Sequence, residues 1–464
     1  MNPTIRELSR GIRKREVSPA ELTHECLSRI EKFNPKLNAF ITVLAEQALE
    51  DARKAEQEVF RGKYRGPLHG IPIGLKDIFD TAGTQTTAAS ALFRDRVPDH
   101  DAEVVRRLRC GGAIILGKQN LHEFAYGGSS MISCFGEVRN PWDTTRIAGG
   151  SSGGSAASVA AGMGYAAIGT DTAGSVRLPA AYCGVVGIKP TYGRVSTRGV
   201  IPLAESYDHI GPLTNTVCDG ALALQVLAGY DPCDATSANV PVADYTCDLD
   251  KALLALRVGV PRKFFFDGVD AEIAAAVEKA IQVIREMGCE IRDELLLDVS
   301  TDRTLSSAES WEYHKEFVAS SPEFYQPATL ARIRSGEKTT QTEIERARLE
   351  LTSSRESIKE IFKQVDLLLT PTVPIPPPSV AKLKDNPDQL RPTELLMLRN
   401  TRPFNVWGIP AISIPCGFTS SGLPIGLQLA AAPWSPDTIL HLAHKYEQAT
   451  EWHKRIPSLG SAQP

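Results

Sequence analysis

Apolar positions along the chain fall into two periods. Ile71–Leu75, Ala113–Leu116, Ala166–Ile168 and Val185–Ile188 are short continuous apolar runs, as are Leu256–Val260, Asp366–Thr370, Ala411–Pro415 and Ile425–Leu429. Runs of this length predict strands buried on both faces. Asp101–Arg109, Ser155–Gly162, Ala271–Met287 and Thr438–Gln448 carry helical spacing instead. Residues 1–60 read as helices. Ser18-Pro19-Ala20-Glu21 supplies a Ser N-cap, a Pro at the first helical position and a Glu at the third. Leu22, Cys26 and Ile30 then share one face, Asn34-Pro35 is expected to end that helix, and an Ala- and Glu-rich helix is expected from Leu44 to Val59. Strands alternating with helices predict an α/β fold, with a large mixed, twisted central sheet covered by helices on both faces. No linker divides residues 1–464, so one domain is expected. The polar stretches 211–250 and 376–392 read as loops or lids, and Pro371–Pro378 as an extended surface connection.

Composition narrows the partners. The chain has 464 residues and a net charge of -4, which gives no basic footprint for nucleic acid or an anionic membrane. A small-molecule amide-type substrate, no nucleic acid, no membrane and at most a homodimer are therefore expected. Nine cysteines with no C-x-x-C argue against a disulfide framework or a zinc site. A reducing cytoplasm fits, and Met1–Arg15 has no apolar signal core. No cofactor is implied.

The chemistry concentrates in Ala148–Ala157 (AGGSSGGSAA) and in Gly169–Arg177 (GTDTAGSVR). A flexible linker is one reading, but ordered patterns flank both clusters. A phosphate loop is a second. Its best formal match, Gly112 to Lys118, has a strand-like AIIL interior and is followed by Gln119 where magnesium would need Ser or Thr. A nucleophile elbow at Gly149–Gly153 is a third, with Asp437 and His441 as partners, but those two sit four apart on one helix.

A fourth reading rests on resemblance. Gly70–Asp77 (GIPIGLKD), Gly149–Ala157 (GGSSGGSAA), Gly169–Pro190 (GTDTAGSVRLPAAYCGVVGIKP), Ser206–Gly211 (SYDHIG), Gly408–Gly417 (GIPAISIPCG) and Gly422–Gln428 (GLPIGLQ) together resemble the amidase signature family. The resemblance implies a Ser–cis-Ser–Lys set: Lys76 as base, Ser151 as the bridge with a cis Gly150–Ser151 peptide, and Ser175 as nucleophile. The two serines lie 24 residues apart (175 − 151), the interval the family shows. A serine hydroxyl needs a base in reach. Holding a lysine neutral near pH 7 costs about 4 to 5 kcal/mol, which burial can supply. The competing role for Lys76 is an ion pair with Asp77 or Asp80, and for Ser151 a helix N-cap. Backbone N–H groups of Thr172, Ala173, Gly174 and Ser175 are oxyanion-hole candidates. Ser152, Ser155, Asp171 and Arg177 are expected to support them, a surface salt bridge being the alternative for the last two. The resemblance also places Phe124, Ala125, Tyr126, Gly127, Gly128 and Ser129 along the substrate pocket. Arg399 and Arg402 could face a substrate carboxylate or a solvated helix face. Cys183 reads as a packing cysteine, and His122, His209, His441 and His444 suggest no metal site.

These readings make the chain an amidohydrolase cleaving an amide, carbamate or urea-type C–N bond through a serine acyl-enzyme. The alternative is the glutaminase subunit of a tRNA-dependent amidotransferase. Members of that branch carry an acid ahead of the GIPAIS-like motif for the glutamine ammonium, whereas none lies between Leu395 and Ala411 here. A non-catalytic scaffold is the remaining class.

Overall fold

All eight apolar runs become strands of one sheet. The computed structural model describes residues 3–459 except 254, 294 and 296; the ends of the 1–464 span lie outside the described residues. The strands are β1 (Phe40–Val43), β2 (Pro72–Lys76), β3 (Ile114–Gln119), β4 (Ala166–Thr170), β5 (Val186–Lys189), β6 (Ile210–Thr214), β7 (Arg257–Gly259), β8 (Glu290–Arg292), β9 (Leu367–Pro371), β10 (Ala411–Phe418) and β11 (Pro424–Ala431). They order as β1-β3-β2-β4-β6-β5-β10-β11-β9-β7-β8. The sheet is mixed: β2 runs parallel to β3 and β4, and β7 to β8 and β9, while the remaining pairs are antiparallel. Side chains alternate faces along a strand, so a strand buried at every position needs cover on both sides. β2, β3, β4, β5, β6, β9 and β11 are buried throughout. No helix among the described residues is long and apolar enough to cross a membrane.

The N-terminal helices form where expected, at Ile5–Lys14, Pro19–Leu37 and Ala45–Phe60. Ser18 caps the second by accepting from the Glu21 N–H. Pro35 does not stop that helix, which ends at Leu37 with Asn38 in the left-handed region. β1 was not anticipated: it pairs with β3, so the N-terminal segment contributes a strand as well as outer helices.

Three loop expectations are corrected. Residues 211–250 hold the end of β6 and the helix Val217–Leu227, capped by Thr216. Residues 376–392 hold the helix Val380–Asp385 and the start of Pro387–Met397. Both stretches mix polar residues with enough apolar ones to bury one helical face, and composition hid that. The Pro-rich connection is extended but not a surface strap. Thr372 and Val373 are buried, the Tyr182 hydroxyl donates to the Ile375 carbonyl, and Arg146 donates to the Pro377 carbonyl.

The sheet places the chemistry at one location. β2 and β4 are parallel neighbours, with Leu75 opposite Ile168, so Lys76 and Thr170 finish side by side. The loop after β4 then passes the segment carrying Ser151 and Ser152. The approach is close at Gly169, where a β-carbon would lie 2.7 Å from Ser152 Oγ. Overpacking of this kind costs about 1 to 3 kcal/mol. Gly169→Ala is therefore expected to lower unfolding stability by that amount, measured by urea denaturation, and a change within error would contradict the packing.

Candidate active site

Lys76 is fully buried at the end of β2. Its Nζ lies 2.7 Å from Ser151 Oγ and 2.7 Å from Thr170 Oγ1. The ion pairs that competed for it are absent, because both nearby aspartates are taken. Asp77 pairs with Lys118 at 3.3 Å, and Asp80 with Arg96 at 2.6 Å. Burial pushes the Lys76 ammonium down to about 7, against the raising fields of Asp208 and Asp171. A lysine so placed can accept a proton near neutral pH.

The Gly150–Ser151 peptide is cis. Ser151 precedes the helix Gly153–Ala160 and does not cap it by a side-chain bond. Ser152 Oγ donates to the Thr170 carbonyl at 3.2 Å, bracing the residue that shares Lys76. The Ser152 N–H donates to the Ser175 carbonyl at 3.2 Å, so the two serine segments abut. The Ser155 hydroxyl has no hydrogen-bond partner among the described residues, so the support expected from it is corrected. It points along a helix packed among small residues, away from the lysine's partners.

Ser175 lines a narrow cavity together with Thr172 and Ala173. The loop that presents it is tied by Asp171, whose carboxylate accepts from the Gly174 N–H at 2.8 Å and the Val176 N–H at 3.1 Å. Arg177 closes the knot with Nη2–Oδ1 at 2.9 Å, both side chains being fully buried. This is no surface salt bridge. Burial alone would raise the Asp171 carboxyl, but Arg177 outweighs it and holds the group well below the usual carboxylate range. One oxyanion candidate is thereby corrected: the Gly174 N–H is spent on Asp171, leaving those of Thr172, Ala173 and Ser175 without a backbone partner. Gly174 has φ +129°, and a β-carbon there would sit 2.0 Å from Thr401 Oγ1. Ala173 has no positive φ, so its side chain is no obstacle.

Several supporting residues were not read from the sequence. Thr401 Oγ1 donates to the Ala173 carbonyl at 2.7 Å, and Asn405 Nδ2 to both the Asp171 carbonyl and its Oδ1 at 2.8 Å. Arg177 Nη1 donates to Gln428 Oε1 at 2.7 Å. Asp208 accepts from the Thr172 hydroxyl and the Leu203 and Ala204 N–H groups; burial pushes it up to about 6, against those bonds. Asp208 lies in SYDHIG and Gln428 in GLPIGLQ, so their motifs were the available signal.

Of the expected substrate segment, Ala125, Tyr126 and Gly127 line the cavity. Phe124, Gly128 and Ser129 lie behind it. Phe124 packs edge-on against His314 at 4.5 Å between centroids, Gly128 abuts Leu398, and Ser129 Oγ donates to Glu394 at 2.6 Å. Arg402 reaches the cavity, but Arg399 turns away onto Phe264. Arg303 and Arg391 line it too, from helices that no motif marks. Cys183 is buried, its thiol pushed up by burial, and donates to the Ala148 carbonyl at 3.5 Å.

The amidase family profile matches residues 21–440. The chain belongs to the amidase signature family. As a member, this amidase is a hydrolase acting on C–N bonds. It is 40% identical over 486 residues, covering 99% of each chain, to a glutamyl-tRNA(Gln) amidotransferase subunit from Moorella thermoacetica. The structure of 6-aminohexanoate cyclic dimer hydrolase superposes with a TM-score of 0.90 at 30% identity, covering 98% of this chain and 99% of that one. The corresponding amidotransferase subunit from Thermotoga maritima superposes with a TM-score of 0.78, also at 30% identity, covering 99% and 98%.

These relatives correct the partner reading drawn from charge. A small-molecule substrate with no nucleic acid, no membrane and at most a homodimer does not describe relatives named as one subunit of a tRNA-directed enzyme. Net charge misled because a chain whose partner subunits handle the nucleic acid needs no basic face of its own.

Removing one partner of a buried ion pair costs about 3 to 5 kcal/mol. Asp171→Asn keeps the shape and removes the charge facing Arg177, so a loss of that size is expected in denaturant unfolding. A loss below about 1 kcal/mol, on the order of a surface pair, would contradict the knot's role.

Proposed function

We propose that this amidase cleaves an amide-type C–N bond through an acyl-enzyme on Ser175, with Ser151 relaying the proton to Lys76. The observation that carries the reading is the 2.7 Å contact between Lys76 Nζ and Ser151 Oγ on a buried lysine with no carboxylate partner. Neutral Lys76 takes the Ser151 proton while Ser151 takes that of Ser175. The freed oxygen attacks the carbonyl, and the oxyanion faces the N–H groups of Thr172, Ala173 and Ser175. The relay then runs backward, the C–N bond breaks and the proton leaves with the amine. Water repeats the cycle on the ester and releases the acid. Residues 1–464 are taken as one catalytic unit, since β1 and β2 share a sheet.

Two versions of the substrate differ. The sequence relatives support the glutaminase subunit of a tRNA-dependent amidotransferase best, with 40% identity over nearly the whole chain. In that version glutamine is the amide and a partner protein receives the ammonia. The second version, an amidase for an amide other than glutamine, is favoured by the cavity, which Arg303, Arg391 and Arg402 line without an acid. At equal identity the cyclic dimer hydrolase also superposes better than the Thermotoga amidotransferase chain.

Removing a nucleophile or its base from a coupled catalytic set costs about 10^4-fold or more in kcat. Ser175→Ala and Lys76→Ala are each expected to lose that much amine or ammonia release from a panel of an aliphatic amide, an anilide, a carbamate, a urea-type compound and glutamine. Near-full turnover by either folded variant would contradict the assignment. Turnover of glutamine alone supports the first version, and turnover of another amide the second.

A further inference from the structure

The cavity beside Ser175 holds a concentration of positive charge that the hydrolytic relay does not use. Arg303, Arg391 and Arg402 converge on it, and its remaining lining is Tyr126, Ser306, Leu398 and other uncharged groups. Arg402 is 4% exposed, and its Nε has no hydrogen-bond partner among the described residues. Its Nη2 reaches only the Asp302 backbone carbonyl. No carboxylate among the described residues lies within ion-pair distance of Arg303 or Arg402. Arg391 has one at 3.8 Å, Glu394. That acid is already committed, to Arg332 at 2.8 Å and to the Ser129 hydroxyl at 2.6 Å. Buried charges are normally paired, and an uncompensated one is costly. Three guanidiniums around one narrow cavity therefore favour the entry of negative charge.

We infer that the site is built for an amide that carries a carboxylate and no ammonium group, held by Arg303, Arg391 and Arg402. This rests on the amide-hydrolysis reading above and narrows its substrate. A carboxylate can take paired, charge-assisted bonds from guanidinium forks. An α-ammonium beside it would meet three cations and, at Leu398, an apolar side chain where a carboxylate would be needed. The arginines also repel one another. Burial, then Arg402 and Arg391, push the Arg303 guanidinium down to about 9, a strain that a bound anion relieves. Glutamine and its deaminated counterpart glutaramate share the amide and the carboxylate and differ only in the ammonium. They therefore separate this inference from the glutaminase version.

The test is calorimetric binding to the full chain carrying Ser175→Ala, which keeps the cavity and leaves the amides intact. Glutaramate and succinamate are the probes, against L-glutamine, L-asparagine and uncharged butyramide. The better of the two carboxylated amides is expected to bind at least about tenfold more tightly than its ammonium-bearing counterpart and than butyramide. Adding Arg402→Met or, at the partly exposed rim, Arg303→Met is expected to remove that advantage. Equal or tighter binding of glutamine or asparagine overturns the inference, as does equal binding of butyramide or no binding of either carboxylated amide. Loss of the serine assignment reads out separately, as turnover that survives Ser175→Ala.

Discussion

A fully buried lysine with no carboxylate to neutralise it is the constraint around which this structure is arranged. Burying an unpaired ammonium is expensive, and the cheaper state is the neutral amine. Lys76 is in that position because the neighbouring acids are occupied: Lys118 holds Asp77 and Arg96 holds Asp80. What remains within reach of its Nζ is two hydroxyls, Ser151 and Thr170. Parallel pairing of β2 with β4 brings the lysine and Thr170 level, and the small residues of the Gly/Ser segment let the Ser151 backbone approach from the other side. The same burial that makes the lysine uncomfortable as a cation makes it useful as a base.

The second organising element is the Asp171–Arg177 knot. A loop that must expose a hydroxyl and several N–H groups to a cavity cannot satisfy itself through regular pairing, so side chains hold it. Asp171 takes two backbone N–H groups, and Arg177 ties that carboxylate to Asn405 and Gln428. Thr401 holds the Ala173 carbonyl from the same direction. Motifs more than 200 residues downstream of the serine thus act on it by bracing one loop. The charge balance is local, since Arg177 is matched by Asp171 at 2.9 Å while the arginines of the neighbouring cavity are not matched.

How much of this could be read in advance follows from where each signal sits. Lys76, Ser151 and Ser175 stand in long motifs whose residue types suit the chemistry, and the structure brings Lys76 and Ser151 into contact with Ser175 at the adjoining cavity. The central strands were legible because burial on both faces leaves continuous apolar runs. β1 was not, because its alternating burial resembles a turn between two helices. The helices Thr304–Ser320 and Gln341–Ile361 bury only a narrow stripe, so polar composition concealed them. Arg303 and Arg391 lie on unmarked helices, and only folding places them beside Arg402. Gly174 was misjudged because sequence shows that an N–H exists, not whether another residue has already taken it.

The claim that carries the rest is that buried Lys76 is the neutral base which activates Ser175. The direct measurement is the rate at which an uncharged fluorophosphonate modifies Ser175 as a function of pH, in the unaltered chain and in Lys76→Met. A base acts only when deprotonated, so the rate should rise with pH and level off above a midpoint near 7, the value to which burial pushes Lys76. Lys76→Met should lose both the rate and the midpoint. A rate that keeps climbing toward about 10.4, the value of an ordinary lysine, or one that survives Lys76→Met with the same profile, would contradict the account.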